Sequence, residues 1–121
     1  MSYIESYILP VPTARLEDYM AMARASAAIW LRLGALSVME ARAENAPVGT
    51  LTSFPRAVQM DDDETVVVAY VRIRDRAHRD AVITAAEADA EMMAMFSTMP
   101  VDGKRMIWGG FEVIVNESSS V

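Results

Sequence analysis

The stretch ETVVVAYVRIR, residues 64–74, runs directly into DRAHRDAVITAAEADAEMMAMF, residues 75–96, and this junction decides how the chain folds. From Thr65 to Ile73 the residues are β-branched and almost continuously apolar, the mark of a strand with neighbours on both edges. Asp75 then stands where a helix N-cap belongs. Ala77, Ala81, Val82, Ala85, Ala88, Met92 and Met95 or Phe96 follow at helical spacing. Asp89 is placed to cap a fresh turn, so one kinked helix and two successive helices both fit. Pro100 ends the segment.

Working towards the N-terminus, SYIESYILPV (2–11) alternates in a two-residue rhythm, with Ile4 and Ile8 on the face opposite Tyr3 and Tyr7. Between these strands, Thr13 is a candidate N-cap, with Glu17 and Asp18 favoured in the first turns by the helix dipole. Leu16, Met20, Ala23, Ala27, Trp30 and Leu31 mark an apolar stripe, and Gly34 is a C-terminal cap, so a helix is predicted over 13–33. Residues 36–42 read as a second strand and 44–53 as a long loop of the kind often functional or interfacial. Phe54 to Met60 reads as a short edge strand with Pro55 near its start. Asp61, Asp62 and Asp63 form an acidic turn.

Towards the C-terminus, 101–104 is a turn and RMIWGGFEVIV (105–115) a final strand. Gly109 and Gly110 within it suggest a bulge or a close approach of another backbone. The predicted order is strand, helix, strand, strand, helix, strand, with the short edge strand between the second and third strands. This is the α+β ferredoxin-like β-α-β-β-α-β arrangement, an antiparallel sheet with both helices on one face. A single domain is expected over 1–116, with 117–121 a flexible tail.

Such a sheet leaves its second face bare, and here both strand parities carry Tyr, Ile, Val, Met, Trp or Phe. So much contiguous apolar surface is rare on a stable monomer. A homodimer packed sheet to sheet about a two-fold axis is therefore expected; the alternative is a monomer whose open face binds another protein.

The chain has 121 residues, 53% of them apolar, no cysteine, and a net charge of −6. No disulfide, thiolate metal site or cysteine nucleophile is possible. The acidic balance argues against a nucleic-acid or anionic-membrane surface. No apolar run approaches the about 20 residues of a membrane span, and no signal pattern opens the sequence. A cytoplasmic protein is expected.

The run Met99-Pro100-Val101-Asp102-Gly103-Lys104-Arg105-Met106-Ile107-Trp108-Gly109-Gly110-Phe111-Glu112 resembles the most distinctive motif of the small bacterial YbaA-like family, a domain family of unknown function. Pro47-Val48-Gly49, Thr52-Ser53-Phe54, Ala57-Val58 and Glu64-Thr65-Val66-Val67 resemble its central segment. Arg79-Asp80 and the opening from Tyr3-Ile4 to Val11-Pro12 also match, so the resemblance covers about residues 2–116. The chain departs from the family where Val101 replaces a phenylalanine, where Val68-Ala69-Tyr70 replaces an aromatic-rich run, and where Ala90 replaces a proline. These departures bear on the shape of a pocket, not on the fold. The resemblance implies a ferredoxin-like chain of the dimeric α+β barrel group, which includes cofactor-free monooxygenases and ligand-binding members. It supplies no catalytic residue.

His78, the one histidine, reads as a surface residue at a helix start. No serine elbow, metal-binding histidine pair, calcium loop or phosphate-cradling glycine turn is present, so neither a metal nor an organic cofactor is expected. Glu5, Glu40 and Glu112 fall among apolar strand neighbours, where a desolvated carboxylate could act as a base. Arg42, Arg72 and Arg105 could neutralise them, in which case the acids and arginines form structural ion pairs. Of these, Glu40, Glu112 and Arg105 are the catalytic candidates. Tyr7, Trp30, Tyr70 and Trp108 are the candidate lining of a pocket for an apolar or planar ligand. The leading expectation is a homodimer binding a small apolar or aromatic molecule between sheet and helices. A cofactor-free monooxygenase- or isomerase-like enzyme and a protein-interaction module are the alternatives.

Overall fold

The structure is a computed structural model that describes residues 2–120. Four strands form one antiparallel sheet: β1 (Tyr3–Pro12), β2 (Ser37–Arg42), β3 (Glu64–Ile73) and β4 (Ile107–Glu112). Their spatial order is β2-β3-β1-β4. Both long strands are central, as the apolar run of β3 requires, and the order with antiparallel pairing is that of a ferredoxin-like fold. Helices α1 (Leu16–Arg32), α3 (Arg76–Ala88) and α4 (Ala90–Ser97) connect the strands, with a short α2 (Phe54–Ala57) before β3.

The caps explain where most helices begin and end. Asp75 accepts from the His78 N–H at 2.8 Å, and Asp89 accepts from the Met92 N–H at 2.9 Å, so the second helical segment is two helices. Asp89 is also bound by Arg32, at 2.8 Å, which ties the α3–α4 junction to the end of α1. Gly34 has φ 113°, and the Ala35 and Gly34 N–H groups reach back to the Trp30 and Leu31 carbonyls. That is a Schellman ending, which favours glycine at the left-handed position.

Four expectations need correction. Thr13 caps nothing: residues Thr13–Arg15 form a 3-10 turn, and α1 starts at Leu16 without a side-chain cap. Phe54 to Met60 is not an edge strand. Ser53 accepts from the Arg56 N–H and Pro55 occupies the first turn, which together start the short α2. The final strand begins at Ile107, because Gly103–Arg105 forms a 3-10 turn capped by Asp102, and it ends at Glu112. Nor do the paired glycines make a bulge: Gly109 faces Ser6 and Gly110 faces Glu5 in unbroken register.

Register assigns the two faces. Tyr3, Glu5, Tyr7 and Leu9 of β1 share a face with Val67, Ala69, Val71 and Ile73 of β3, with Val38 and Glu40 of β2, and with Trp108 of β4. The helices cover this side. One buried cluster joins Ile29, Trp30, Val71, Ile73, Val82, Ala86 and Met92; a second joins Leu9, Val11, Tyr19 and Val67. The buried stripe of α1 is Tyr19, Ser26, Ile29 and Trp30, with Leu16 and Ala23 packed beside it. Trp30, Leu16 and Ala23 are as expected, whereas Leu31 is exposed, so the helix is turned only partly from its expected setting.

The opposite face carries Ile4 and Ile8, Val68 and Tyr70, Met39, Ile107 and Phe111. Pro10 and Val66 at one end of it are buried, and α2 lies against β3. Met39 (55% exposed), Val68 (37%) and Phe111 (56%) are open to solvent.

Candidate functional site

The two buried clusters leave a cavity of about 450 Å³ between sheet and helices. Its floor is the sheet, with Glu5, Tyr7, Leu9, Val38, Glu40, Ala69 and Val71 presented by alternate positions of three strands. Its roof comes from α1, through Tyr19, Met22, Ser26 and Trp30, and from α3 and α4, through Arg79, Ile83, Ala86, Met93 and Phe96. Met99, Met106 and Trp108 close one side. Glu87, Phe96 and Trp108 line the cavity while exposed to solvent, and so mark its mouth. Four methionines in the lining give it soft, adaptable walls.

Two polar arrangements interrupt the apolar surface. In the first, Arg79 in the first turns of α3 grips Glu5 at the middle of the sheet. Its Nε lies 2.9 Å from Oε1 and its Nη2 3.0 Å from Oε2, with the side chains 19% and 2% exposed. Arg79 Nη1 also donates to Asp80. The fork fills both oxygens of a buried carboxylate, and the hydrogen bonds to Glu5 hold the guanidinium well above its ordinary pKa. In the second, the Tyr19 hydroxyl donates to Glu40 Oε1. Burial pushes the Glu40 carboxyl above the usual carboxylate range, against the opposing pull of that hydrogen bond. Burial likewise raises Tyr7 and Tyr19 far above an ordinary phenol, so both stay protonated at any physiological pH.

The ion pair also explains Gly110. A Cβ there would stand 2.9 Å from Glu5 Oε1 and 2.8 Å from the Tyr3 ring, and closer still to the Tyr3 hydroxyl. Tyr3 can swing away, but Glu5 is held by Arg79. Gly110→Ala is therefore expected to cost about 1–3 kcal/mol in chemical denaturation by overpacking; a loss within error of zero would show that the pair shifts freely. The close approach of another backbone expected at the glycine pair is not found; Gly110 alone has close neighbours, and they are side chains.

Tyr7, Trp30 and Trp108, from three elements, are brought together here, and Glu40 joins them. Tyr70 is not: it lies on the opposite sheet face, paired with Ser6 and Met39. Glu112 is at the exposed end of β4, outside the cavity lining. Arg105 also lies outside it. Its fork binds Glu64 at 2.7 Å through each nitrogen, its Nε reaches Asp102, and its Nη1 reaches the Gln59 carbonyl. That clamp joins the turn before β3 to the turn before β4 and, with Arg105 as the largest influence, lowers the Glu64 pKa. His78 accepts the Arg74 N–H at its helix start.

Two site residues escaped the sequence reading, Arg79 as the partner of Glu5 and Tyr19 as the partner of Glu40. A signal existed for each. Arg79 lies three and seven residues before Val82 and Ala86 on the buried stripe of α3, and Tyr19 lies seven before Ser26 on that of α1. Among the described residues, no three acidic or histidine side chains converge as a metal ion would require, and no helix is long and apolar enough to cross a membrane.

A family model described as a protein of unknown function, DUF1428, matches residues 2–103. The chain is 35% identical over 117 residues to the uncharacterized protein YbaA of Escherichia coli K12, covering 97% of this chain and 100% of that one. The YbaA of Shigella flexneri matches to the same extent. In fold it is similar to a dimeric ferredoxin-like protein from an uncultured marine organism, with a TM-score of 0.59, 14% identity, and coverage of 98% of this chain and 100% of that one.

Proposed function

The chain belongs to the DUF1428 family, whose function is unknown, and from that position we propose that it is a homodimeric binding protein for a small, largely apolar molecule. The cavity carries this reading. Its about 450 Å³ falls among small-molecule sites, which run from roughly 300 to 1,000 Å³ and pair apolar walls with a few placed polar groups. Tyr7, Trp30 and Trp108 supply flat apolar surface, and Glu40 with Tyr19 supplies a hydrogen-bonding end. The dimer follows from the far sheet face, where Met39, Val68, Ile107 and Phe111 are exposed together. The similar marine protein is described as dimeric, in line with this reading.

The neutral polarity probe N-phenyl-1-naphthylamine tests the cavity. Saturable binding of one molecule per chain is expected, with a Kd on the order of micromolar. Ala69→Leu, which fills the sheet floor, is expected to weaken it by about tenfold, as the loss of one well-packed subsite would. Trp108→Ala should weaken it as well. If emission rises without saturating, or if both variants bind like the parent, the cavity is not a ligand site. Native mass spectrometry of the protein as isolated reads the subunit count and any retained molecule together.

A further inference from the structure

The charges around the cavity do not balance, and the imbalance sits at one residue. Glu5 and Arg79 cancel each other through a two-point ion pair. Glu40 has no such partner. Among the described residues its carboxylate meets only the neutral hydroxyl of Tyr19, at Oε1. Every sealed side-chain oxygen and nitrogen among those residues has a hydrogen-bond partner, so Oε2, which has none, is accessible, on a residue that lines the cavity. The fourth charged group of the lining, Glu87, stands at the mouth and is negative too.

A carboxylate set among aromatic and methionine side chains is a partly desolvated anion without a counter-ion, and a ligand carrying positive charge supplies one. The walls favour the same charge, since the faces of Trp30, Trp108, Tyr7 and Phe96 attract cations through their ring quadrupoles. A ligand carboxylate would meet Glu40 and Glu87 instead. Arg79, the one cation in the lining, is already held by Glu5 and Asp80. The geometry points to an organic ammonium ion, an amine borne on an aromatic or bulky apolar body, as the ligand class, with Glu40 receiving the ammonium group. This rests on the cavity being a binding site.

The pH dependence follows with a definite sign. Binding the cation requires ionised Glu40, so the preference for an amine fades as pH falls through the raised Glu40 pKa. Of the groups that line the cavity with Glu40, Tyr7 and Tyr19 stay protonated throughout, Glu5 is held in its ion pair with Arg79, and Glu87 stands at the mouth. In the free protein, a raised folded-state pKa gives stability that is lost as pH rises through it. Glu40→Gln keeps an acceptor for Tyr19 and removes that loss. The variant should therefore melt a few degrees higher than the parent at neutral pH and gain nothing in acid.

Calorimetric titration with three probes sharing one ring system decides the matter: 2-(1-naphthyl)ethylamine, 2-(1-naphthyl)ethanol and 1-naphthylacetate. At neutral pH the amine is expected to bind about tenfold tighter than the alcohol, the worth of one charge-assisted hydrogen bond, with the acetate weakest. Glu40→Gln should bring amine and alcohol together, and mildly acidic buffer should do the same for the parent. Equal binding of all three, or tighter binding of the acetate, overturns the ammonium assignment while leaving the cavity a ligand site. An amine preference that survives in Glu40→Gln overturns the role of Glu40. If none of the three binds, the binding reading itself falls.

Discussion

Arg79→Met is expected to cost the fold about 3–5 kcal/mol, the usual penalty for leaving half of a buried ion pair behind. Glu5 sits on β1, between β3 and β4, with its side chain 2% exposed and both oxygens committed to the Arg79 fork. Methionine keeps an unbranched apolar stem out to the position of arginine Nε, so what is lost is chiefly the charged, hydrogen-bonding end group. No other cation is within ion-pairing distance of Glu5 among the described residues, where Arg79 is its one salt-bridge partner. The double variant Glu5→Leu/Arg79→Met separates charge from packing. Removing both members is expected to restore stability to near the parent value or above it, because apolar replacement of a buried pair is often neutral or favourable. Urea denaturation of the parent, the single and the double variant measures this. A single variant within about 1 kcal/mol of the parent would mean that water reaches Glu5 and the burial is not real.

Val68→Asp is expected to turn the proposed dimer into a monomer that remains folded. Val68 is on β3 facing Ile8 and Ala41, near the middle of the uncovered sheet face, and is 37% exposed in the single chain. In an isolated protomer an aspartate there meets water, so the fold should lose little. In a sheet-to-sheet dimer two-fold symmetry places the new charge in the seam twice, each copy desolvated and unpaired. A rise in the dimer Kd of at least about 100-fold is expected, comparable to loss of an interface hot spot. Sedimentation velocity at micromolar concentration, with circular dichroism as the check on folding, gives the answer. A parent that sediments as a monomer, or a variant that stays dimeric, removes this face from the assembly.

How far the sequence could be read depended on how local each cause was. The β-branched run of β3 and the caps at Asp75, Asp89 and Gly34 are made by residues a few positions apart, and all are legible. Ser53 followed by Pro55 was an equally local helix start, but the apolar Phe54 and Val58 suggested an edge strand. The first helix lies where the pattern puts it, and Leu16, Ala23 and Trp30 of the expected stripe do pack inward, but the helix is turned enough to expose Leu31. Beside Trp30, packing buries Tyr19, Ser26 and Ile29, which the expected stripe of Leu16, Met20, Ala23, Ala27, Trp30 and Leu31 leaves out. That rotation hid Tyr19, and with it the partner of Glu40.

The same division runs through the candidate site. Tyr7, Trp30, Trp108 and Glu40 were recognisable as residue types suited to a pocket, and Tyr70 looked no different from Tyr7. Strand parity separates them: a shift of one residue moves a side chain to the other face, and alternation is weak where both faces are apolar. Glu5 was legible as an acid among apolar neighbours, but its partner lies 74 residues away and on a helix. Composition, caps and periodicity act over a turn or a strand, and they determined the order of the main strands and helices, the antiparallel α+β architecture and an apolar second face. Only the tertiary structure decided which parity meets the helices, which arginine neutralises Glu5, and that Glu40 is left with a neutral partner. Those outcomes depend on the rotation of whole helices against the sheet, which is set by the combined packing of residues far apart in the chain.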